Sequence, residues 1–202
     1  MKRLCPLVLC LSGIVAANVV LAEGNAETGA TKAAVCQACH GANGNSVNPQ
    51  WPSLAGLGAG YIVEQLQNFK NGKRSNPIMT ANVLTLSPED MADLGAYFAS
   101  RVNTGLPEDP SHGKAGEKLY RAGDKPRGIP ACTACHGPSG YGIETAKFPA
   151  LRGQHAEYVV KQLTDYASGA RATGPNGMMQ TIAKRLSPDD MRDLSSYLQG
   201  LR

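Results

Sequence analysis

The chain has 202 residues, with 20 lysine and arginine residues, 16 aspartate and glutamate residues and a formal net charge of +4. Basic and acidic side chains nearly balance beyond the first few residues, which argues against nucleic acid as a partner because the basic footprint is missing. Aromatic residues make up only 5% of the sequence, which is little for a chain that must build its own apolar cores.

The first 22 residues have the pattern of a secretory signal peptide. A positively charged start is followed by an almost uncharged apolar stretch and a small-residue cleavage site. We predict export to the periplasm with cleavage after Ala22; a site near Ala17 and an uncleaved anchor are the alternatives. Cleavage removes Cys5 and Cys10, so the four remaining cysteines belong to one repeated motif.

The sequence Cys-Gln-Ala-Cys-His at residues 36–40 is the attachment motif of c-type haem. The thiols of Cys36 and Cys39 add to the two porphyrin vinyl groups as thioethers, and the two-residue spacing matches the vinyl groups. His40 follows directly, which brings its imidazole to one axial face of the iron. A second copy supplies Cys132, Cys135 and His136.

Two other uses of a Cys-x-x-Cys pair are a zinc site and a redox dithiol. Zinc would gather both pairs into one site, although the copies lie 96 positions apart. A thioredoxin-like dithiol expects a neighbouring βαβ pattern and gives no reason for histidine to follow both times. We therefore predict two covalently attached haem c groups (iron), which also supply the apolar bulk that two small domains need.

The motifs belong to a longer internal repeat. Three further segments recur in the same order: residues 51–56 with 148–153, 61–72 with 158–169, and 86–91 with 186–191. We predict a signal peptide over residues 1–22 and two tandem domains over residues 23–105 and 106–202. The boundary falls in a segment with two prolines and a glycine, which resists both helix and strand.

Each repeat predicts short helices joined by loops rich in glycine and proline. The first helices are predicted over residues 26–35 and 113–120, and the second over residues 61–71 and 158–168. The last helices begin at Ser87 and Ser187, each followed by proline at the first helical position and an aspartate that completes a capping-box-like turn. No alternating strand pattern of useful length is present, so the predicted fold class is all-α.

The second axial ligand decides between electron transfer and chemistry at an open iron site. Met79 and Met179 each lie eight residues before the serine that begins the last helix, and each follows a turn-forming stretch that can present the side chain from a loop. We predict that both ligate iron, because a thioether favours ferrous iron and raises the potential. Met178 is the alternative, although it breaks the register of the repeat. Met91 and Met191 lie on apolar helix faces and are predicted core residues.

The other histidines and two prolines complete the candidate residues. His112 beside the linker is predicted to be solvated, and His155 to be a surface or haem-edge residue. An iron-ligating histidine usually donates its other ring N–H to a fixed acceptor. Pro52 and Pro149 are placed to offer their backbone carbonyls.

With these features in this order, the chain resembles the cytochrome c4 family, which pairs two class I cytochrome c domains. The resemblance covers about residues 24–202 and includes the repeated Tyr-x-x-x-Gln-Leu helices. It implies two cytochrome c-like domains whose haems are bound by Cys36, Cys39, His40 and Met79, and by Cys132, Cys135, His136 and Met179. It also implies haem propionates near a two-fold-like domain interface, for which Tyr97 and Tyr197, or their neighbours, are candidates.

The resemblance implies a periplasmic electron carrier rather than an enzyme. In such a role it passes electrons from the cytochrome bc complex or another donor towards a haem-copper terminal oxidase, often loosely bound to the membrane. The alternatives are an electron-transfer subunit of a dehydrogenase and a dihaem peroxidase. A peroxidase needs a displaceable iron ligand and an acid–base group beside it, and no repeated set of such residues is present.

Residues 23–105 carry a net charge of −1 and residues 106–202 carry +3, which predicts a dipole that orients redox partners.

Overall fold

The computed structural model describes residues 23–202, so the predicted signal peptide, with Cys5 and Cys10, lies outside the described residues. Within that range the chain forms ten α-helices and no strand, only three isolated bridges. The helices are α1 (Ala26–Lys32), α2 (Ala34–His40), α3 (Ala59–Lys70), α4 (Pro77–Val83), α5 (Pro88–Ala99), α6 (Gly113–Ala122), α7 (Thr133–His136), α8 (Ala156–Ser168), α9 (Met178–Ala183) and α10 (Pro188–Gly200). The all-α prediction is confirmed. None of these helices between residues 23 and 202 is both long and apolar enough to cross a bilayer.

The helices form two sets of five that repeat the same packing. In the first half α1 and α3 pack against α5, and in the second half α6 and α8 pack against α10. The crossings are close: a Cβ atom on Gly29 would lie 2.1 Å from the backbone oxygen of Asp93, and one on Gly116 would lie 2.0 Å from that of Asp193. Since only glycine fits there, the repeat builds the same helix pair twice.

The last helix of each half begins with the predicted capping box. The Ser87 hydroxyl accepts a hydrogen bond from the Asp90 N–H (3.0 Å), and the Asp90 carboxylate accepts one from the Ser87 N–H (2.8 Å). Ser187 and Asp190 form the same pair of bonds at 3.1 and 2.7 Å. These bonds satisfy amide groups that a helix start leaves unpaired, which fixes where α5 and α10 begin.

The first helix of the first half differs from the prediction. The pattern predicts one helix over residues 26–35, whereas α1 ends at Lys32 and α2 begins at Ala34 and carries the haem motif. In the second half a loop closed by backbone bonds between Asp124 and Ile129 (2.8 and 2.9 Å) precedes the single turn of α7. Each motif therefore has a short helix of its own, separate from the helix that packs against α5 or α10.

Each half has its own cluster of buried apolar side chains. The first contains Ala33, Leu57, Ile62, Leu94, Tyr97 and Phe98. The second contains Leu119, Tyr120, Ile129, Val159, Leu186, Met191, Leu194, Tyr197, Leu198 and Leu201. Met91 and Met191 are only 2% and 7% exposed, which confirms them as core residues. Members of both clusters also line one shared cavity, so each core is completed by what fills that cavity.

Candidate functional site

A cavity of about 1130 Å³ runs through both halves of the molecule. This exceeds the roughly 300–1,000 Å³ of ordinary ligand pockets. Its wall is mostly apolar and includes every predicted site residue. These are Cys36, Cys39, His40 and Met79 of the first half, and Cys132, Cys135, His136 and Met179 of the second. The structure thus brings each predicted set of four residues to one cavity.

Both motif histidines are held by the predicted proline carbonyls. His40 Nδ1 lies 2.8 Å from the Pro52 oxygen, and His136 Nδ1 lies 2.9 Å from the Pro149 oxygen. Because a carbonyl only accepts, Nδ1 carries the proton and donates it, which leaves the Nε2 lone pair free. Burial lowers the pKa of both imidazoles, although the carbonyls oppose this shift. Each ring is therefore neutral and oriented as a metal ligand requires.

The cysteines of the two motifs do not have the surroundings of reactive or zinc-binding thiols. Burial raises the pKa of the Cys36 thiol and raises that of Cys132 to about 11. A redox-active dithiol requires the opposite shift. Among residues 23–202, no group of three or more His, Cys, Asp and Glu side chains is placed to hold a metal ion. Thioether attachment to a porphyrin is the use that fits this placement.

The two predicted methionine ligands lie in helices rather than loops, which corrects the prediction. Met79 is in the first turn of α4, where its N–H donates to the Asn76 side chain (3.0 Å), and Met179 is in the first turn of α9. Met178 also lines the cavity. In the repeat, Met178 takes the position of Ile78, whose side chain is 57% exposed. Pro77 is the first residue of α4, since proline suits a helix start. Pro175 instead begins a separate three-residue 3-10 turn that ends just before α9.

An interdomain arginine network joins the halves beside the cavity. Its members are Tyr61, Gln65 and Arg74 of the first half, and Tyr158, Gln162 and Arg171 of the second. Each guanidinium donates to both glutamines and to the tyrosine of the opposite half, with distances of 2.7 to 3.0 Å. Arg74 and Arg171 are 9% and 4% exposed. The two halves are therefore related by a nearly symmetric polar contact.

The chemistry of this network fits the carboxylates of bound haem. Buried charges are normally paired, yet the acceptors of Arg74 and Arg171 are uncharged amide and phenol oxygens. No salt bridge found among residues 23–202 includes either arginine. Both side chains line the cavity, where porphyrin propionates would supply the missing negative charge.

The tyrosines at the interface are not the ones that the sequence analysis names. Tyr97 lies in the core of the first half and accepts a hydrogen bond from Gln37 (2.8 Å), and Tyr197 packs on Tyr120 (5.5 Å between ring centroids). Tyr61 and Tyr158 lie at the interface instead. The sequence does contain a pattern that could have indicated them. In both repeats a Tyr and a Gln recur at helical spacing on the polar face of the helix, and Gly-x-Arg follows.

Of the other two histidines, His155 contradicts its prediction, whereas the His112 side chain is 39% exposed and its prediction is partly confirmed. His112 precedes α6 and is only partly exposed, because its Nδ1 lies 2.7 Å from an Asp193 carboxylate oxygen. His155 is 5% exposed and lies between the two halves, where its Nε2 donates to the Ser46 carbonyl (2.8 Å). Two contacts fix the path of the chain here: the Gly153 N–H donates to the Leu198 carbonyl of α10 (2.8 Å), and His155 is the N-cap residue of α8.

Comparison with known proteins agrees with this arrangement. The sequence profile of the family described as cytochrome c matches residues 26–101 and again residues 113–202. The chain is a c-type cytochrome with two haem domains in tandem. Cytochrome c4 of Pseudomonas aeruginosa is 51% identical over 89% of this chain and 90% of its own length. The chain belongs to the cytochrome c4 family, and it carries two covalently bound haem c groups.

Solved structures show the same fold. The crystal structure of reduced recombinant cytochrome c4 from Pseudomonas stutzeri superposes with a TM-score of 0.86 at 46% identity, covering 89% of this chain and 100% of that one. The thiosulfate dehydrogenase electron acceptor of Thiomonas intermedia is 38% identical over 83% of this chain and 78% of its own length. The protein is a dihaem electron carrier.

The predicted domain boundary between residues 105 and 106 falls in the stretch that the profile leaves unmatched and stays a prediction.

Proposed function

We propose that this protein is a periplasmic respiratory electron carrier that takes electrons from the cytochrome bc complex or another donor and passes them towards a haem-copper terminal oxidase. In this proposal Cys36 and Cys39 attach the first haem, and Cys132 and Cys135 attach the second. The iron ligands are His40 and Met79 in the first domain, and His136 and Met179 in the second.

One observation carries the proposal: each half brings a carbonyl-held histidine and a helix-held methionine to the same cavity. When bound by these residues, haem c would supply one-electron exchange at its iron. The chain's own residues keep that exchange fast, since Pro52 fixes the His40 ring and the capped first turn of α4 fixes Met79. Ligands held in one geometry move little when the charge changes. Apolar walls exclude water, which limits the reorganisation further.

A second candidate is an electron acceptor dedicated to one dehydrogenase. The 38% identity to the electron acceptor of thiosulfate dehydrogenase favours it. Reduction by a purified dehydrogenase of this kind, at a rate far above that with the bc complex, would support it. The peroxidase alternative is disfavoured, because it requires a labile ligand where each half places a methionine.

Carbon monoxide binding separates the carrier from an enzyme. We expect the reduced protein at neutral pH to bind carbon monoxide slowly and only slightly, because Met79 and Met179 would occupy the iron position that carbon monoxide needs in each domain. Stopped-flow absorbance after mixing would measure this. The matched control is Met179→Ala, which should bind carbon monoxide rapidly at one haem. Rapid binding by the unaltered protein would contradict the proposal.

The uneven charge of the two halves predicts a salt-dependent association with redox partners. The second half carries +3 against −1 for the first, so an acidic partner should approach the second half. Raising ionic strength from about 10 to 150 mM shortens the screening length from roughly 30 to 8 Å. We expect the second-order rate with an acidic partner to fall about tenfold in stopped-flow measurements.

Two exposed lysines provide the control for this effect. Lys125→Glu in the second half should lower the low-salt rate, whereas Lys73→Glu in the first half should change it less. Equal effects of both variants, or a rate indifferent to salt, would show that the charge asymmetry plays no part in docking.

A further inference from the structure

A loop of the first domain, which carries the Pro52 carbonyl, is hydrogen-bonded by a side chain of the second domain. Gln154 Oε1 accepts from the Ser53 N–H at 2.9 Å, and Gln154 Nε2 donates to the Ser53 carbonyl at 2.9 Å. Gln154 and Ser53 are 6% and 3% exposed, so both bonds are shielded from water. One glutamine side chain therefore binds both backbone groups of the residue that follows Pro52.

The Ser53 N–H belongs to the same peptide group as the Pro52 carbonyl. That carbonyl accepts the hydrogen bond from His40 Nδ1 at 2.8 Å. The three groups form a chain of hydrogen bonds, from the His40 ring through one peptide to Gln154. Bonds in such a chain polarise one another, so acceptance by Gln154 strengthens the Pro52 carbonyl as an acceptor. A stronger acceptor at Nδ1 makes the imidazole a more basic ligand.

Neighbouring contacts hold the glutamine in this position. The His155 N–H donates to Gln154 Oε1 at 3.2 Å, which orients the amide. The His155 ring bonds to Ser46 of the same first-domain loop, and the Ser46 N–H donates to the Ser53 hydroxyl at 3.2 Å. The loop behind His40 is therefore fixed by the second domain at two points.

The second domain has no equivalent of this contact. Its matching peptide joins Pro149 and Ala150, and no hydrogen bond to the Ala150 N–H occurs among the described residues. Ala150 packs instead against the apolar cluster of the first domain. In the repeat, Leu57 stands where the second domain has Gln154, and leucine cannot accept a hydrogen bond. The polarising contact therefore acts on His40 and not on His136.

We propose that Gln154 is a positioning residue for the axial histidine of the first haem and selectively lowers the reduction potential of that haem. The inference rests on the proposed assignment of His40 as an iron ligand. A more basic imidazole stabilises the oxidised iron more than the reduced iron, which gives the direction of the effect. The second domain thus helps to set the reduction potential of the first haem, and the reduction potentials of the two haems differ as a result.

Gln154→Leu, which copies the first domain's Leu57, tests the proposal in the holoprotein. We expect the first haem to become easier to reduce, so that the electron equilibrium between the haems shifts towards the first by about three- to tenfold. Tenfold corresponds to about 59 mV for a one-electron couple. An optical redox titration gives both potentials, and paramagnetically shifted proton NMR signals assign them to the two haems.

Two further variants separate polarisation from general loosening of the interface. Gln154→Glu keeps an acceptor oxygen for the Ser53 N–H and should leave the first potential low. His155→Phe removes the bond to Ser46 but keeps the bonds to Ser53, and should shift the first potential much less than Gln154→Leu. If Gln154→Leu moves neither potential or both equally, or if either control raises the first potential as strongly as Gln154→Leu does, the inference is overturned.

The result also distinguishes this inference from the proposed function. The weak red absorption band of methionine-ligated ferric haem should persist in every one of these variants. Its absence from the unaltered protein would refute the assignment of Met79 and Met179 as ligands, and with it the proposed function. A persistent band with unchanged potentials would refute only the role of Gln154.

Discussion

Met179→Ala is expected to remove the sulfur ligand of the second haem and with it that haem's share of the red absorption band. The reduction potential of the second haem should fall, within the roughly 0.8 V range that the different kinds of axial ligand span. The neutral thioether favours ferrous iron, and this preference is lost with the side chain. Water is expected to take its place, and water is a harder ligand that favours ferric iron. Redox titration with optical detection measures the band and both potentials together.

The neighbouring methionine provides a matched control. Met178→Ala removes a thioether one residue away on the same short helix, and the repeat aligns Met178 with the exposed Ile78. We expect both potentials and the red band to stay near their original values. If Met178→Ala abolishes the band of the second haem and Met179→Ala does not, the ligand assignment in the second domain is wrong. Met79→Ala should reproduce the loss at the first haem.

The double variant Cys132→Ala/Cys135→Ala is expected to lose the second haem and to unfold the second domain. The apolar cluster of that half borders the cavity through side chains such as Leu194 and Leu198, which would then face water or a void. The free energy of unfolding of a domain is only about 5–15 kcal/mol. The stabilisation that a small domain loses when haem leaves its core is expected to be larger than this, so the domain should unfold. Mass spectrometry should find one porphyrin per chain, and far-UV circular dichroism should show a large loss of helix.

The internal repeat supplies the control for this experiment. Cys36→Ala/Cys39→Ala should give the mirror result, with the first haem lost and the second retained. The interdomain arginine network predicts some damage to the partner domain as well, because Arg171 would lose acceptors on α3. Two porphyrins remaining on the doubly substituted chain would contradict covalent attachment at Cys132 and Cys135.

Much of the site could be predicted from the sequence because its signals are local. The spacing of two cysteines and a histidine defines haem attachment within five residues, and Ser-Pro-x-Asp defines where α5 and α10 begin. The internal repeat allowed further residues to be predicted that no local motif identifies. Matching Met79 with Met179 in the two halves singled out two methionines that composition alone could not separate from core residues. Both methionines line the cavity that the motif histidines also line.

Predictions failed where distant parts of the chain meet. Tyr61 and Tyr158 bind arginines 110 and 84 positions away, and the repeated Tyr, Gln and Gly-x-Arg pattern does not say which distant residues these side chains contact. His155 reads as a surface residue because it lacks a counterpart in the first half, yet it is buried against Ser46, 109 positions away. The extent of α2 and of α9 likewise depends on what the short helices pack against, since helices of this length are marginal alone.

The sequence by itself determined the cofactor, the number of domains, the all-α class and which cysteines, histidines and methionines are expected to line the cavity. These follow from covalent chemistry and hydrogen bonds between near neighbours, which depend on spacing along the chain. Only the tertiary structure decided how the halves contact each other, that two buried arginines lie between them, and that Gln154 reaches the peptide behind His40. Burial and hydrogen bonds across about 100 positions depend on how complete domains pack, and that packing has no signature in any short stretch of sequence.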